Sequence, residues 1–239
     1  MRALARILLG FFGVIVLVIA AGLFWIFFYS GDLPDMNALA QFAPSSVARV
    51  WDPCLPTATV AIPYDSIGDN LRAALNAAEG GENDSGVVTE TYRGFTSQRN
   101  FSGTTLSLRV SETMFCVPTK MLNRQLKEIR VAVQLERRFS RRELFTILAN
   151  RAHFGDDLVG VEAASQSFFQ KDPVQLRVGE AALLAGLIKS PSRFSPTKHP
   201  DRAIQRRSEV LDTMVESHFI RREEAEAAKA LAILPGRAD

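Results

Sequence analysis

The chain has 239 residues, 47% of them hydrophobic and 23% charged, with a formal net charge of +2. This length suits one medium-sized domain with an additional apolar segment. The two cysteines, Cys54 and Cys116, give neither a disulfide framework nor the spacing of a cysteine metal site, and we predict that they are unpaired.

An uncharged apolar segment comes first and extends from Ile7 to Gly31. It exceeds the roughly 20 residues that a helix needs to cross a bilayer, and Trp25 and Tyr29 stand near its far end, as in an aromatic belt. A cleaved signal peptide is the alternative, with the small residues 20–22 as its cleavage site. More apolar sequence follows those residues, which favours an uncleaved transmembrane helix.

The charges beside this segment predict its orientation. Arg2 and Arg6 precede it, and Asp32 and Asp35 follow it. The positive-inside rule therefore predicts a single-pass protein of the cytoplasmic membrane, with its N-terminus inside and its C-terminal domain periplasmic or otherwise extracytoplasmic. We expect a cytoplasmic stub and transmembrane helix over 1–31, a stalk over 32–58 and a compact domain over 59–239. Nucleic acid is excluded as a partner of a domain exported in this way.

The compact domain begins with an apolar strand signal at Thr59, which Pro63 ends. Apolar residues at helical spacing then predict a helix that Gly80 and Gly81 terminate, so that Glu79 stands at its end. Residues 80–103 are polar, rich in Gly and Ser, and the least helical part of the domain.

Helical signals return at Met121, with one apolar stripe through Leu122, Leu126, Ile129 and Val133. Basic residues are concentrated over 120–151, a pattern that suits either an anionic lipid or a solvated helix face.

The sequence Ser140 to Glu143 is a capping box that opens the next helix, and two alanine-rich helices follow. We predict that these two helices contain Glu162 and Glu180 as interior carboxylates. Buried carboxylates need partners, for which the candidates are Arg151, Arg177 and Arg207. The predicted fold class is mostly α.

Several motifs follow one another in the order of a known family. They include Arg124 with Glu128, Leu135-Glu136, Asn150, Phe154-Gly155, the Gly-x-Glu-Ala-Ala block from Gly160, and Leu-Ala-Gly-Leu before Lys189-Ser-Pro. From Ala61 to about Lys229 the chain resembles the peptidoglycan glycosyltransferase domain of penicillin-binding proteins and monofunctional transglycosylases (glycosyltransferase family 51).

The resemblance implies a lysozyme-like helical domain that polymerises lipid II into a glycan strand outside the membrane, alone or with other cell-wall synthesis proteins. An acceptor 4-hydroxyl attacks the anomeric carbon of a donor, and undecaprenyl pyrophosphate leaves. A carboxylate must take the hydroxyl proton. Cationic groups, with or without a divalent cation such as Mg²⁺, must hold the pyrophosphate.

The resemblance also implies roles for individual residues. Glu79 occupies the position of the general base, and Glu128 that of the glutamate on the donor's phosphate side. Arg124, one turn from Glu128, would contact the phosphate. The basic side chains of Arg109, Lys120 and Lys127 are further candidates for binding substrate. Without the resemblance, Glu79 is interpretable as an exposed helix-end carboxylate and Glu128 as a helical partner of Arg124.

The first two motifs depart from the family pattern. Gly80 follows Glu79 where the family has aspartate. The second motif normally ends in two glutamines, with a lysine three residues later, but here Leu108 and Arg109 stand at the glutamines and Glu112 at the lysine. Three hypotheses therefore stay open: a divergent active transglycosylase, a non-catalytic relative that binds glycan or lipid-linked precursor or scaffolds cell-wall enzymes, and a glycan hydrolase with Glu79 as general acid.

Overall fold

A computed structural model of the chain describes residues 2–29, 36–50, 52, 59–79, 105–114 and 122–231, except the side chains of residues 2–11, 26–29 and 122–126. The prediction of a mostly α fold is confirmed, since nine helices alternate there with short strands and turns. In chain order the helices are α1 (Arg2–Tyr29), α2 (Asp69–Glu79), α3 (Leu106–Met114), α4 (Leu122–Arg138), α5 (Arg141–Arg151), α6 (Val161–Phe169), α7 (Val178–Ile188), α8 (Pro200–Glu216) and α9 (Arg222–Ala230).

The first helix, α1, contains the apolar segment. The large apolar side chains described in it, from Phe12 to Trp25, are exposed to solvent in the isolated chain. Helix α1 contacts α4. Among the residues that the structure describes, none of the helices is both long enough and apolar enough to span a membrane.

A short antiparallel sheet joins the chain after α1 to the start of the compact domain. Strand β1 (Ala48–Val50) pairs with strand β2 (Thr59–Ala61), with Arg49 opposite Val60. Residues 36–50 lie within the segment predicted as a stalk, and the structure packs them on the domain. A 3₁₀-helix over Met36–Phe42 buries Leu39 and Phe42 in the core.

Helix α2 begins and ends as the sequence predicts. Leu71, Ala74 and Leu75 are buried on one face, and this face packs against α7 and α8. The helix ends at Glu79, which is itself buried. The prediction that a helix terminates before Gly80 is confirmed.

Helix α3 is absent from the sequence prediction, in which helical signals return only at Met121. Its sequence is short and contains serine, threonine and valine, which have lower helix propensity than alanine or leucine. Tertiary packing forms it, since Leu106, Val110 and Met114 are buried against α4 and α5. Its Ser107 hydroxyl donates to Oε1 of Glu136 on α4 at 2.6 Å.

The capping box of α5 is confirmed. The Ser140 hydroxyl accepts from the backbone N–H of Glu143, and the backbone N–H of Ser140 donates to the Glu143 carboxylate. After α5, strands β3 (His153–Gly155) and β4 (Leu158–Val159) form a second two-stranded antiparallel sheet.

The two alanine-rich segments form α6 and α7, and α7 lies in the core with residues 179–187 buried. The prediction of an interior carboxylate is confirmed for Glu180, which is bound by Lys171 and Arg177. It is wrong for Glu162, which is only half-buried because it lies at the first turn of α6 and accepts from the exposed Gln166.

The other two predicted donors to these glutamates have different partners. Arg151 forms a buried ion pair with Asp52, and Arg207 donates to the backbone carbonyls of Lys229 and Leu231. Arg207 thereby joins α8 to the end of α9.

Candidate active site

The candidate site is built on the C-terminal end of α2, where Glu79 is the last helical residue. Its side chain is 1% exposed, so the interpretation of Glu79 as an exposed helix-end carboxylate is wrong. The end of a helix carries partial negative charge from its free carbonyl groups, which disfavours a carboxylate there. A buried glutamate in this position therefore needs a nearby cation.

Arg109 of α3 supplies that cation. Its Nε and Nη2 both contact Oε2 of Glu79, and its Nη1 donates to Oε2 of Glu112 at 2.9 Å. One guanidinium thus bridges two carboxylates, and this bridge connects α3 to α2. Glu112 is one helical turn from Arg109 and is 38% exposed, so it forms the outer end of the group.

The second carboxylate oxygen of Glu79, Oε1, differs from Oε2 in its hydrogen bonding. Oε1 is buried and has no hydrogen-bond partner among the residues that the structure describes. A second arginine, Arg206 of α8, is near enough to act on the Glu79 charge. The Arg206 side chain is 13% exposed, and its Nη1 donates to Glu209 at 3.1 Å. Its buried Nε also has no hydrogen-bond partner within the described part of the chain.

These neighbours have opposing effects on the ionisation of Glu79. Burial raises the pKa of this carboxyl most strongly, and the charges of Arg109 and Arg206 lower it. The like charge of Glu112 raises the pKa further, and the net result is a pKa above the ordinary glutamate value. A carboxylate with a raised pKa is a stronger base, as a proton-accepting role requires.

The other predicted site residues are distributed along or near α4. Lys127 and Glu128 are half-buried on α4, which packs against α3, the helix that carries Arg109. Arg124 lies one turn before Glu128 on α4, but its side chain is outside the description. Lys120, Cys54 and Cys116 lie outside the described residues. The structure therefore brings Glu79 and Arg109 into one ion pair and leaves Lys127 and Glu128 on a separate helix.

The sequence prediction missed Arg206 as a neighbour of Glu79. The only local signal is a pair of arginines in an amphipathic helix, and helical periodicity does not say which one faces a carboxylate on another helix. Glu112 stands where the family has lysine, and the structure pairs it with Arg109, one helical turn earlier. The two departures from the second family motif, at 109 and 112, are thus one ion pair.

The described residues offer no preformed metal cage. Within residues 36–50, 52, 59–79, 105–114 and 127–231, no three His, Cys, Asp or Glu side chains are grouped so that they could hold a metal ion.

Comparison with known proteins assigns the chain to a family. The transglycosylase family model matches residues 57–215. Penicillin-binding protein 1A of Aquifex aeolicus is 28% identical over 238 residues, covering 93% of this chain and 33% of that protein. Penicillin-binding protein 1F of Bacillus subtilis is 35% identical over 127 residues, covering 53% of this chain and 18% of that protein. This chain spans about a third or less of these curated relatives.

A crystal structure of penicillin-binding protein 1A from Haemophilus influenzae is also similar, with 26% identity and a TM-score of 0.39. The matched region covers 56% of this chain and 17% of the Haemophilus influenzae chain. The family match covers more than half of the residues and includes Glu79, Arg109 and Glu128. The chain therefore belongs to the transglycosylase family, and the resemblance drawn from its motifs is confirmed.

Proposed function

We propose that this chain is a membrane-anchored peptidoglycan glycosyltransferase that polymerises lipid II into glycan strands, with Glu79 as general base. Membership of the transglycosylase family supports the reaction class. The observation that carries the assignment of the base is the buried Glu79 carboxylate, which has one oxygen held by Arg109 and the other without a hydrogen-bond partner among the described residues.

The proposed chemistry uses that second oxygen. Oε1 of Glu79 accepts the proton of the acceptor 4-hydroxyl as the hydroxyl oxygen bonds to the anomeric carbon of the donor. The bond between that carbon and the pyrophosphate oxygen breaks, and the leaving group departs with the electron pair. Burial favours this step because it raises the pKa of Glu79 and strengthens it as a base.

The donor side of the site is proposed on α4. Glu128 and Arg124 are one turn apart on this helix, and Lys127 lies beside Glu128. Together with Lys120, the cationic groups would hold the pyrophosphate and stabilise the negative charge that develops as it leaves.

Membrane anchoring is part of the same proposal and depends on the sequence. Residues 7–31 carry no charge, arginines precede them and aspartates follow them. This pattern favours a single-pass anchor with the domain outside the cytoplasm, where a lipid-linked donor and the nascent strand would be accessible. A domain with a lysozyme-like arrangement of helices would then lie beside the membrane surface.

The test is a polymerisation assay on the full-length protein in detergent with labelled lipid-linked disaccharide–pentapeptide. Parallel reactions contain Mg²⁺ or a chelator, and products are separated by length. We expect polymer from the wild type and a loss of about 100-fold or more in Glu79→Gln and Glu128→Gln. Glu162→Gln is the matched control, because this half-buried glutamate lies on α6 and has no proposed role. Polymer from Glu79→Gln at the wild-type rate would overturn the assignment of the base.

Two features of the site favour a second candidate function. The ion pair with Arg109 partly neutralises Glu79, and the family's lysine is replaced by Glu112. Both features suit a non-catalytic relative that binds glycan or lipid-linked precursor. In the same assay, a wild type that makes no polymer but retains labelled precursor in a binding measurement would select this function.

A further inference from the structure

Arg109 does not divide its donors evenly between its two carboxylate partners. Nε and Nη2 are both directed at a single oxygen, Oε2 of Glu79, and Nη1 is directed at Glu112. The guanidinium is planar and its donors are fixed relative to one another, so contact with both carboxylates sets the rotation of its plane. The Arg109 side chain is 17% exposed, and packing therefore also restricts it.

This arrangement makes the two oxygens of Glu79 unequal. Oε2 accepts from two N–H groups of Arg109, whereas Oε1 is buried and accepts from none of the described residues. A buried acceptor without a partner raises the free energy of the folded state. A proton donor that enters the site would remove this penalty when it reaches Oε1.

We propose that Arg109 is a positioning residue for Glu79: it holds Oε2 so that Oε1 is the oxygen that accepts the proton, and Glu112 holds Arg109 in that orientation. This inference rests on the proposed function, in which Glu79 is the base. It gives Arg109 a different role from the substrate-binding one that its basic side chain predicts, because its donors are directed at protein carboxylates.

The charges around Glu79 come from two of the helices packed near it. Arg109 and Glu112 lie on α3 and Arg206 lies on α8, while residues 181–188 of α7 carry no charge. The two α3 residues act on the pKa of Glu79 in opposite directions, since the arginine lowers it and Glu112 raises it. Their substitutions should therefore shift the titration of Glu79 in opposite directions.

The first experiment measures the titration of Glu79 directly and does not depend on activity. Carboxyl ¹³C NMR of the full-length protein, labelled at glutamate and held in detergent, follows the resonance that disappears in Glu79→Gln. We expect Arg109→Gln to raise the pKa of Glu79, because a positive charge is lost, and Glu112→Gln to lower it, because a like charge is lost. Arg221→Gln is the matched control, because Arg221 and Glu224 form the same one-turn pair on the exposed surface of α9. An unchanged titration in Arg109→Gln would overturn the proposal.

The second experiment measures polymerisation as a function of pH. A positioning role predicts that Arg109→Gln lowers kcat about tenfold or more, leaves KM near its wild-type value and moves the acidic limb of the profile to higher pH. Arg109→Lys keeps the charge and should return that limb toward the wild-type pH while kcat stays low, because one ammonium cannot reproduce the two-sided contact.

A rise in KM with an unchanged kcat would assign Arg109 to substrate binding and overturn the proposal. An inactive wild type would overturn the proposed function and, with it, the role of Glu79 as base. The titration would still decide whether Arg109 holds Glu79, so the two failures are distinguishable.

Discussion

The side-chain amide of Asn150 hydrogen-bonds to both backbone groups of Ile62. Its Oδ1 accepts from the Ile62 N–H at 3.1 Å, and its Nδ2 donates to the Ile62 carbonyl at 2.9 Å. The same Nδ2 donates to the carbonyl of Phe42 at 2.8 Å. One fully buried side chain on α5 thereby satisfies backbone groups of two segments that precede α2, and holds both against the core.

Asn150→Asp tests this contact with almost no change in volume. The substitution replaces the donating Nδ2 with an oxygen that faces the carbonyls of Phe42 and Ile62. We expect the free energy of unfolding to fall by about 2–5 kcal/mol at neutral pH, measured by urea denaturation. Asn76→Asp on α2 is the control, since the Nδ2 of Asn76 donates to the Arg72 carbonyl in a partly buried hydrogen bond. A loss below about 1 kcal/mol for Asn150→Asp would show that these bonds contribute little.

The buried ion pair of Arg151 and Asp52 gives a second prediction. Nη1 of Arg151 is 2.6 Å from Oδ2 of Asp52, and its other donors bind the backbone and hydroxyl of Thr113. Arg151→Met removes the cationic partner from this buried ion pair and should destabilise the protein by about 3–5 kcal/mol. Adding Asp52→Asn should recover part of the loss, and a double-mutant cycle measures the coupling. Additive losses would contradict the pairing.

The raised pKa of Glu79 predicts how stability depends on pH. Burial raises this pKa more than Arg109 lowers it, so the folded state holds the proton more tightly than the unfolded state. The resulting stability is fully present below the unfolded pKa and is lost as pH rises through the folded pKa. Denaturation at a series of pH values should therefore show a fall across this window in the wild type. The fall should be absent from Glu79→Gln, and its persistence there would assign it to another group.

Glu180 predicts the opposite dependence. Burial alone would raise its pKa, but the donors Arg177 and Lys171 outweigh burial and lower it below the ordinary value. The stability that this provides is present above the unfolded pKa and is lost as pH falls through the folded pKa. Glu180→Gln should reduce stability at neutral pH and flatten the acid limb of the stability profile. An acid limb that is unchanged in Glu180→Gln would show that Arg177 and Lys171 do not lower the pKa of Glu180 in the folded protein relative to the unfolded chain.

Alanine substitutions at two glycines with positive φ distinguish the cost of backbone strain from the cost of a steric clash. A Cβ at Gly155 (φ 93°) would meet only Pro191 Cβ, at 3.5 Å, whereas one at Gly68 (φ 80°) would lie 2.7 Å from Val174 Cα. We expect Gly155→Ala to cost about 1–2 kcal/mol from the left-handed backbone alone. Gly68→Ala should cost about 1–3 kcal/mol more, because the backbone of residue 174 must move. If Gly155→Ala and Gly68→Ala lower the free energy of unfolding equally, the contact with Val174 contributes nothing to the loss at Gly68.

Much of the helical framework follows from local sequence. The stripe through Leu71, Ala74 and Leu75 predicts α2, and the following glycines predict its end, because both signals depend on residues within a few positions of each other. The capping box at Ser140 marks the start of α5 for the same reason. The sequence does not predict helix α3, because the helix propensity of this segment is low and the helix forms only when it is buried against α4 and α5.

The candidate site likewise has features that the sequence determines and features that only the tertiary structure decides. The sequence by itself determined the family, the end of α2 at Glu79 and the presence of basic side chains at 109, 124 and 127, because motif order and helical spacing are written along the chain. Only the tertiary structure decided that Glu79 is buried, that Arg109 is bound to it and to Glu112, and that Arg206 lies within reach. The physical reason is that an ion pair between two helices depends on how α2, α3 and α8 pack together, and no local propensity or periodicity encodes that distance.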